Sequence, residues 1–215
     1  MLALTFTFSC SGGNDDSGDN SGGGTSSPSS SPSGGGNSSP SGEYKGGSCD
    51  ANYYGAVVIG SQTWMAKNYG CYAPGSMCYN DDPDNCAIYG RLYDKETAKT
   101  VCPNGWHLPT DAEWVVLMRN VSPSCSGSTS SCLDAGKKLK ADSPLWNENG
   151  NGTDDFGFTA LPSGSNNGNI GKYADWWSAS EDGEYSNYWG VRYSGDEFRQ
   201  DRGRTVLLSV RCVKN

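Results

Sequence analysis

Apolar and polar residues alternate along Ala56–Met65: Val57 and Ile59 lead into Gly60-Ser61, and Gln62-Thr63-Trp64-Met65 follows. Two extended runs either side of a two-residue turn predict a β-hairpin. Further on the period changes. Trp114, Leu117, Met118 and Val121 recur at helical spacing and form one apolar stripe. Pro109-Thr110 opens this helix, and Thr110 with Glu113 spells a capping box. In that motif the hydroxyl accepts from the third helical amide and the carboxylate reaches back to the amide of the cap. Ser122-Pro123 ends the helix. A second helix is predicted over Leu133–Ala141, and a short one after Tyr93 over Asp94–Lys99. Residues Cys71–Cys86, CYAPGSMCYNDDPDNC, are dense enough in turn residues to read as a loop. The last third reads as short strands over Trp176–Ala179, Tyr188–Tyr193, Glu197–Gln200 and Thr205–Val213. Two main helices followed by short antiparallel strands predict an α+β domain.

The beginning of the chain has a different character. Of the 38 residues from 11 to 48, 28 are Gly, Ser or Pro. Such a segment cannot bury enough surface to offset its ordering entropy, so it reads as a disordered tether. A Gly/Ser-type coil of that length spans roughly 30–40 Å. Ahead of it, residues 1–9 form a short apolar run ending in Ser9, followed by Cys10 and Ser11-Gly12-Gly13. This resembles the cleavage site of a bacterial lipoprotein, with Cys10 as the lipidated residue. An ordinary signal peptide is the alternative. Ser11 lacks the Asp that retains lipoproteins at the inner membrane in enteric bacteria, which points to the outer membrane and to attachment through a lipid anchor alone. The predicted organisation is therefore 1–9 signal, 10–48 anchor and tether, and 49–215 one globular domain.

The net charge of −8 leaves no basic stripe for nucleic acid and no basis for docking on anionic lipid. Nine cysteines occur, none in a CxxC pair, and there is a single histidine. Zinc is therefore a weak reading. Setting Cys10 aside leaves eight, an even number suited to disulfides in an oxidising compartment.

Three groups carry candidate chemistry. His107, between Trp106 and Leu108, could be a general base but reads better as a hydrogen-bonded structural residue. Calcium is the one candidate cofactor, because it takes six to eight oxygens from tight loops rich in Asp and Asn. The better loop for it holds Asn147, Asn149, Asn151, Asp154 and Asp155. Asp81, Asp82 and Asp84 form a weaker one. Aromatic residues crowd the last third, and exposed rings of this kind stack on sugars. Tyr173, Trp176, Tyr185 and Tyr188 are the candidate ligand-binding set. Trp177 and Trp189 would then face the core, although period two alone allows the reverse.

The motifs VVIGSQTWMAKN, CYNDDPDNCAIYGRLYD, CPNGWHLPTDAEW, GNGTDDFGFTALP, WWSASE and SVRCVKN occur in this order between Gly55 and Asn215. Together they resemble the major paralogous domain family first named from Fibrobacter succinogenes, whose members are attached to lipoprotein or secretion signals. HLPTDAEW and SVRCV are also similar to elements of the formylglycine-generating and sulfatase-modifying superfamily. The resemblance implies a C-type-lectin-like architecture and a Cys102–Cys212 disulfide tying the helix entry to the last strand. In the chain-entropy model such a bond contributes roughly 4–5 kcal/mol. Cys78–Cys86 and Cys125–Cys132 are local candidates, each enclosing a turn-rich loop, and Cys49–Cys71 is then left. The reactive cysteine pair of the formylglycine-generating enzymes has no counterpart here, since Cys212 stands alone in the last third. The expected role is thus non-catalytic binding of polysaccharide or a surface protein. An enzyme of sulfatase-modifying ancestry and a structural surface scaffold are the alternatives.

Overall fold

The computed structural model describes residues 48–204 and 206–215. The signal and Cys10 readings, and the tether up to residue 47, lie outside these residues. The predicted hairpin forms as β1 (Ala56–Ile59) and β2 (Gln62–Met65), paired antiparallel from Ala56↔Met65 to Ile59↔Gln62. Gly60 takes φ +61° at the first loop position, where a side chain is strained and a tight hairpin favours glycine. Next come β3 (Ser76–Met77), α1 (Pro83–Tyr89), β4 (Leu92–Tyr93), α2 (Lys95–Val101) and β5 (Trp106–His107). They lead to α3 (Asp111–Val121), β6 (Ser131–Cys132) and α4 (Ala135–Leu139). The chain closes with β7 (Tyr173–Asp182), β8 (Tyr185–Arg192), β9 (Phe198–Gly203), β10 (Leu208–Ser209) and β11 (Val213–Lys214).

The domain is α+β with two sheets, ordered β1-β2-β11-β5 and β3-β4-β10-β7-β8-β9-β6. Two expectations need correction. Four α-helices form among the described residues rather than two main ones. The helix hidden in the turn-rich loop is α1. Asp82 caps it by accepting from the Asp84 amide, and Pro83 occupies the first turn, where its missing N–H costs nothing. The strands are neither all short nor all antiparallel. Strand β7 has 10 residues, and β10 joins it in parallel through Ser209↔Trp176.

Helix α3 starts as expected. The Thr110 side chain accepts from the Glu113 amide, and Glu113 Oε2 accepts from the Thr110 amide at 2.8 Å. Its apolar stripe packs against one face of β7–β9. Trp114 is wholly buried there, with ring centroids 4.6 Å from Trp64, 5.9 Å from Phe198 and 6.0 Å from Trp176. Asp111, in the first turn, draws the sheet to the helix start: it accepts from Trp189 Nε1 at 2.9 Å and from Asn187 and Gln200 side-chain amides at 2.7 Å. A second apolar cluster gathers Tyr54, Met65, Tyr69, Tyr93, Leu108 and Trp177 around Cys212.

Between the two clusters lies Arg211. Its Nε and Nη2 donate to Asn68 Oδ1 at 3.0 and 2.7 Å, and Nη1 donates to the Met65 and Phe158 carbonyls. The guanidinium lies 4.4 Å over the Phe158 ring. Asn68 Oδ1 also accepts from Trp176 Nε1 at 2.8 Å, and its Nδ2 donates to the Tyr89 carbonyl at 2.9 Å. No carboxylate forms an ion pair with Arg211 among the described residues. Burial pulls this guanidinium down to about 9, which leaves it charged at neutral pH.

Asn68→Ala would leave two Arg211 donors and one indole N–H buried without an acceptor. At roughly 1–3 kcal/mol for each unsatisfied group, a loss of about 3–5 kcal/mol is expected. For a domain of this size that lowers the thermal midpoint by about 10 °C. Calorimetry would contradict the role given to Asn68 if the fall were only ~2 °C.

Candidate functional site

Alternation along β7–β9 sorts their side chains into two sets. The register pairs Tyr173 with Arg192, Asp175 with Gly190 and Trp177 with Tyr188. It also pairs Gly190 with Arg199 and Tyr188 with Asp201. Directly opposed residues share a face, so these residues lie on one side. Trp176, Trp189 and Phe198 lie on the other, against α3. Trp177 belongs to the second apolar cluster and closes one end of the outer face, with the Tyr188 ring edge-on to it at 6.3 Å. Tyr188 packs partly against that cluster, whereas Tyr173, Asp175 and Arg192 belong to neither apolar cluster.

Its centre is the Asp175–Arg192 pair, in which Arg192 Nη1 donates to Asp175 Oδ1. A methyl group at Gly190 would sit 1.9 Å from that carboxylate oxygen, so the bridge needs glycine at this position. The Arg192 guanidinium also lies 4.3 Å over the Tyr173 ring and 3.9 Å from Asp201. Arg199 reaches Asp201 at 3.6 Å. Facing this network, Ser165, Asn167 and Asn169 with Arg204 and Val206 wall a groove of about 360 Å³ whose lining includes Tyr173, Asp175, Tyr188 and Arg192. At its rim Tyr185 is 40% exposed, with Arg204 4.4 Å over its ring.

Burial dominates the electrostatics. It pushes the Asp175 carboxyl up to about 6 in spite of Arg192, and with the nearby Asp175 and Asp201 carboxylates it pushes Tyr188 up to about 12. Burial opposes the charge on Arg192 too, but the Asp175 carboxylate outweighs it and holds the guanidinium above its usual range. The groove therefore offers fixed hydrogen-bond donors and acceptors beside aromatic edges. That chemistry suits a ligand rich in hydroxyl groups.

Of the four residues expected to bind a ligand, the structure brings Tyr173 and Tyr188 together in the groove and leaves Tyr185 at its rim. Trp176 is corrected. It is fully buried, because period two turns it to the α3 side of the sheet, and its indole N–H is taken by Asn68. Sequence reasoning missed Asp175, Arg192 and Asn169. The available signal was an Asp set inside the aromatic run Tyr173–Trp177, opposite a strand containing glycine.

The proposed calcium ligands are divided. Asn147, Asn149 and Asn151 line a separate surface pocket with Asp142 and Glu148, and Asn151 Nδ2 donates to Asp142 at 2.7 Å. Asp154 lies outside that lining; its carboxylate accepts from the Thr159 amide and hydroxyl at 2.7 and 2.8 Å. Asp155 is exposed and outside the lining as well. Among the described residues, one group of His, Cys, Asp or Glu has three ligand atoms within 4.8 Å of one another: Cys125, Cys132 and Asp134. Both of its sulfurs are in a disulfide. In the weaker cluster, Asp82 is engaged as the cap of α1. His107 is held at both nitrogens, 2.7 Å from Glu113 Oε1 and 2.6 Å from Asn215 Oδ1.

All eight described cysteines are paired as Cys49–Cys71, Cys78–Cys86, Cys102–Cys212 and Cys125–Cys132. These are the four expected pairs. The model of the Fibrobacter succinogenes major domain family matches residues 57–214. The chain belongs to this family. The groove and the Arg211 junction both fall within the Fibrobacter succinogenes major domain. Comparison with curated proteins and with solved structures gave no match.

The raised Asp175 value has a consequence for stability. The folded domain keeps this proton up to about pH 6, whereas the ordinary carboxyl value is 3.8. Folding thus binds a proton between these values, and stability falls as pH rises through the window. The effect is of order 2–3 kcal/mol. Relative to Asp175→Asn, the natural domain should lose stability between pH 4 and pH 7 in denaturant titrations. Parallel curves for the two proteins would contradict the assignment.

Proposed function

We propose that this domain is a non-catalytic binding module of the cell envelope whose outer β7–β9 face takes a polysaccharide. The observation that carries this reading is the groove of Tyr173, Tyr188 and the Asp175–Arg192 pair. Its polar side chains are costly to hold on a half-buried surface, and Asp175 and Arg192 belong to neither apolar cluster. Tyrosine edges and planes serve sugar rings, and fixed charged groups serve their hydroxyls. Four disulfides suit an oxidising compartment. Cys10 is the proposed lipid attachment, placing the protein at the outer membrane on a tether.

The fold we propose is C-type-lectin-like. In its support, the hairpin at the start of the domain and the last strand share one sheet, and Cys102–Cys212 ties the approach to α3 to the chain end. The alternative, an enzyme of sulfatase-modifying ancestry, needs a reactive thiol, and the eight domain cysteines are engaged with one another. Calcium remains a proposed cofactor, at the pocket that Asn147, Asn149 and Asn151 line with Asp142 and Glu148.

A glycan array with and without calcium should reveal a polysaccharide ligand. Titration calorimetry with that ligand should then show Tyr173→Ala and Tyr188→Ala each weakening binding about 10–30-fold, the scale of an interfacial tyrosine hot spot. The thermal midpoint of Tyr173→Ala should change little, whereas Tyr188→Ala, which also removes packing against Trp177, should lower it. Undiminished binding by both variants would contradict the proposed face, and failure of every glycan would contradict the ligand class.

A further inference from the structure

A second concavity, bordered by Arg211 and by Cys86 of the Cys78–Cys86 disulfide, shares no lining residue with the groove. It has a volume of about 170 Å³ and is lined by Tyr53, Tyr54, Ile88, Tyr89 and Leu161, with Lys67 and Arg211 also contributing. Its walls are mainly apolar, and the polar groups behind them are already engaged. The Tyr54 hydroxyl accepts from the Gly70 amide at 3.0 Å and donates to the Ser48 carbonyl. The Tyr89 carbonyl accepts from Asn68. At the mouth Tyr53 is 52% exposed and Ile88 47% exposed, both high for large apolar side chains.

Charge sets this cavity apart from the rest of the molecule. The chain carries a net charge of −8, yet the lining holds two cations and no carboxylate. Lys67 is exposed at the mouth, its ammonium 4.9 Å over the Tyr53 ring, and no carboxylate pairs with it among the described residues. Arg211 stands at the cavity wall with its N–H groups given to neutral oxygens, and the Asp154 carboxylate acts on its charge without a hydrogen bond or ion pair between them. The volume is close to that of a cavity able to hold one benzene ring, about 150 Å³.

We propose that this cavity is a second binding site, one that takes a single aromatic ring carrying a carboxylate. Tyr53, Ile88 and Leu161 receive the ring, and Lys67 meets the carboxylate at the mouth. The same chemistry arises from a small aromatic acid or from a peptide ending in an aromatic residue.

The test is a titration of the full chain, followed by amide NMR, with 3-phenylpropionate and its neutral analogue 3-phenylpropanol. Acetyl-glycyl-phenylalanine and its C-terminal amide form the second pair of probes. The acids should perturb Ile88, Gly90 and Thr159 and bind about two- to fivefold more tightly than their neutral partners, the size of one exposed ion pair. Lys67→Glu should remove that preference, and Lys67→Arg should keep it. Ile88→Asp, on an exposed helix position, should weaken all four probes. Tighter binding of the peptide acid than of 3-phenylpropionate would assign the site to chain termini, and the reverse to small acids. Equal affinity for acids and neutral analogues, perturbations confined to other residues, or no binding at millimolar probe would overturn the proposal.

Discussion

The buried guanidinium of Arg211 is the point on which the packing of this domain turns. Arg211 sits where the two apolar clusters meet and donates to Met65 at the end of β2, to Phe158, and to Asn68 on the connection toward α1. Removing a guanidinium from water is costly unless its hydrogen bonds are replaced and its face is covered. Here neutral oxygens replace the water, and the Phe158 ring covers one side. Asn68 works as the adaptor. Its oxygen gathers Arg211 and the Trp176 indole, and its nitrogen reaches the Tyr89 carbonyl. One amide thereby joins the long sheet, the hairpin sheet and the end of α1. The Cys102–Cys212 bond fixes the adjacent residue from within the second apolar cluster.

This arrangement decides which surfaces are left for binding. One face of β7–β9 is spent on α3, with Trp114 at the centre and Asp111 fixing the helix start to the sheet. On the opposite face Trp177 is drawn into the second core cluster, and Tyr188 packs partly against it. Beyond it the strands present Tyr173, Tyr188 and a charge network made possible by Gly190. A domain with several disulfides and few long helices can carry such a polar face, because its order does not rest on that face being covered.

Local signals in the sequence were read well where one short window contained the whole cause. The hairpin turn at Gly60-Ser61 and the capping box of Thr110 and Glu113 are of this kind. Helix α1 was missed because a cap and a proline were embedded among turn residues that ordinarily mark loops. The Trp176–Trp177 pair shows a different limit. Alternation says that the two face opposite ways, but both faces are covered at this point in the sheet, and both residues are buried. Only tertiary packing tells that. The groove has the same character: Asp175 and Arg192 meet across a strand pair, 17 residues apart in sequence. The acidic loop illustrates the reverse error, since residues close in sequence point to different partners, Asn151 to Asp142 and Asp154 to Thr159.

The claim that a rigid junction presents the outer sheet face for ligand is tested most directly by amide hydrogen exchange on the full chain, free and saturated with its polysaccharide. In the free protein, Met65 and Tyr69, bonded to the Cys212 and Val210 carbonyls, should be among the slowest-exchanging amides. Ligand should add protection along β8, β9 and residues 165–169 while leaving β1 and α3 unchanged. Protection spread evenly over the domain, or centred on α3, would contradict the account.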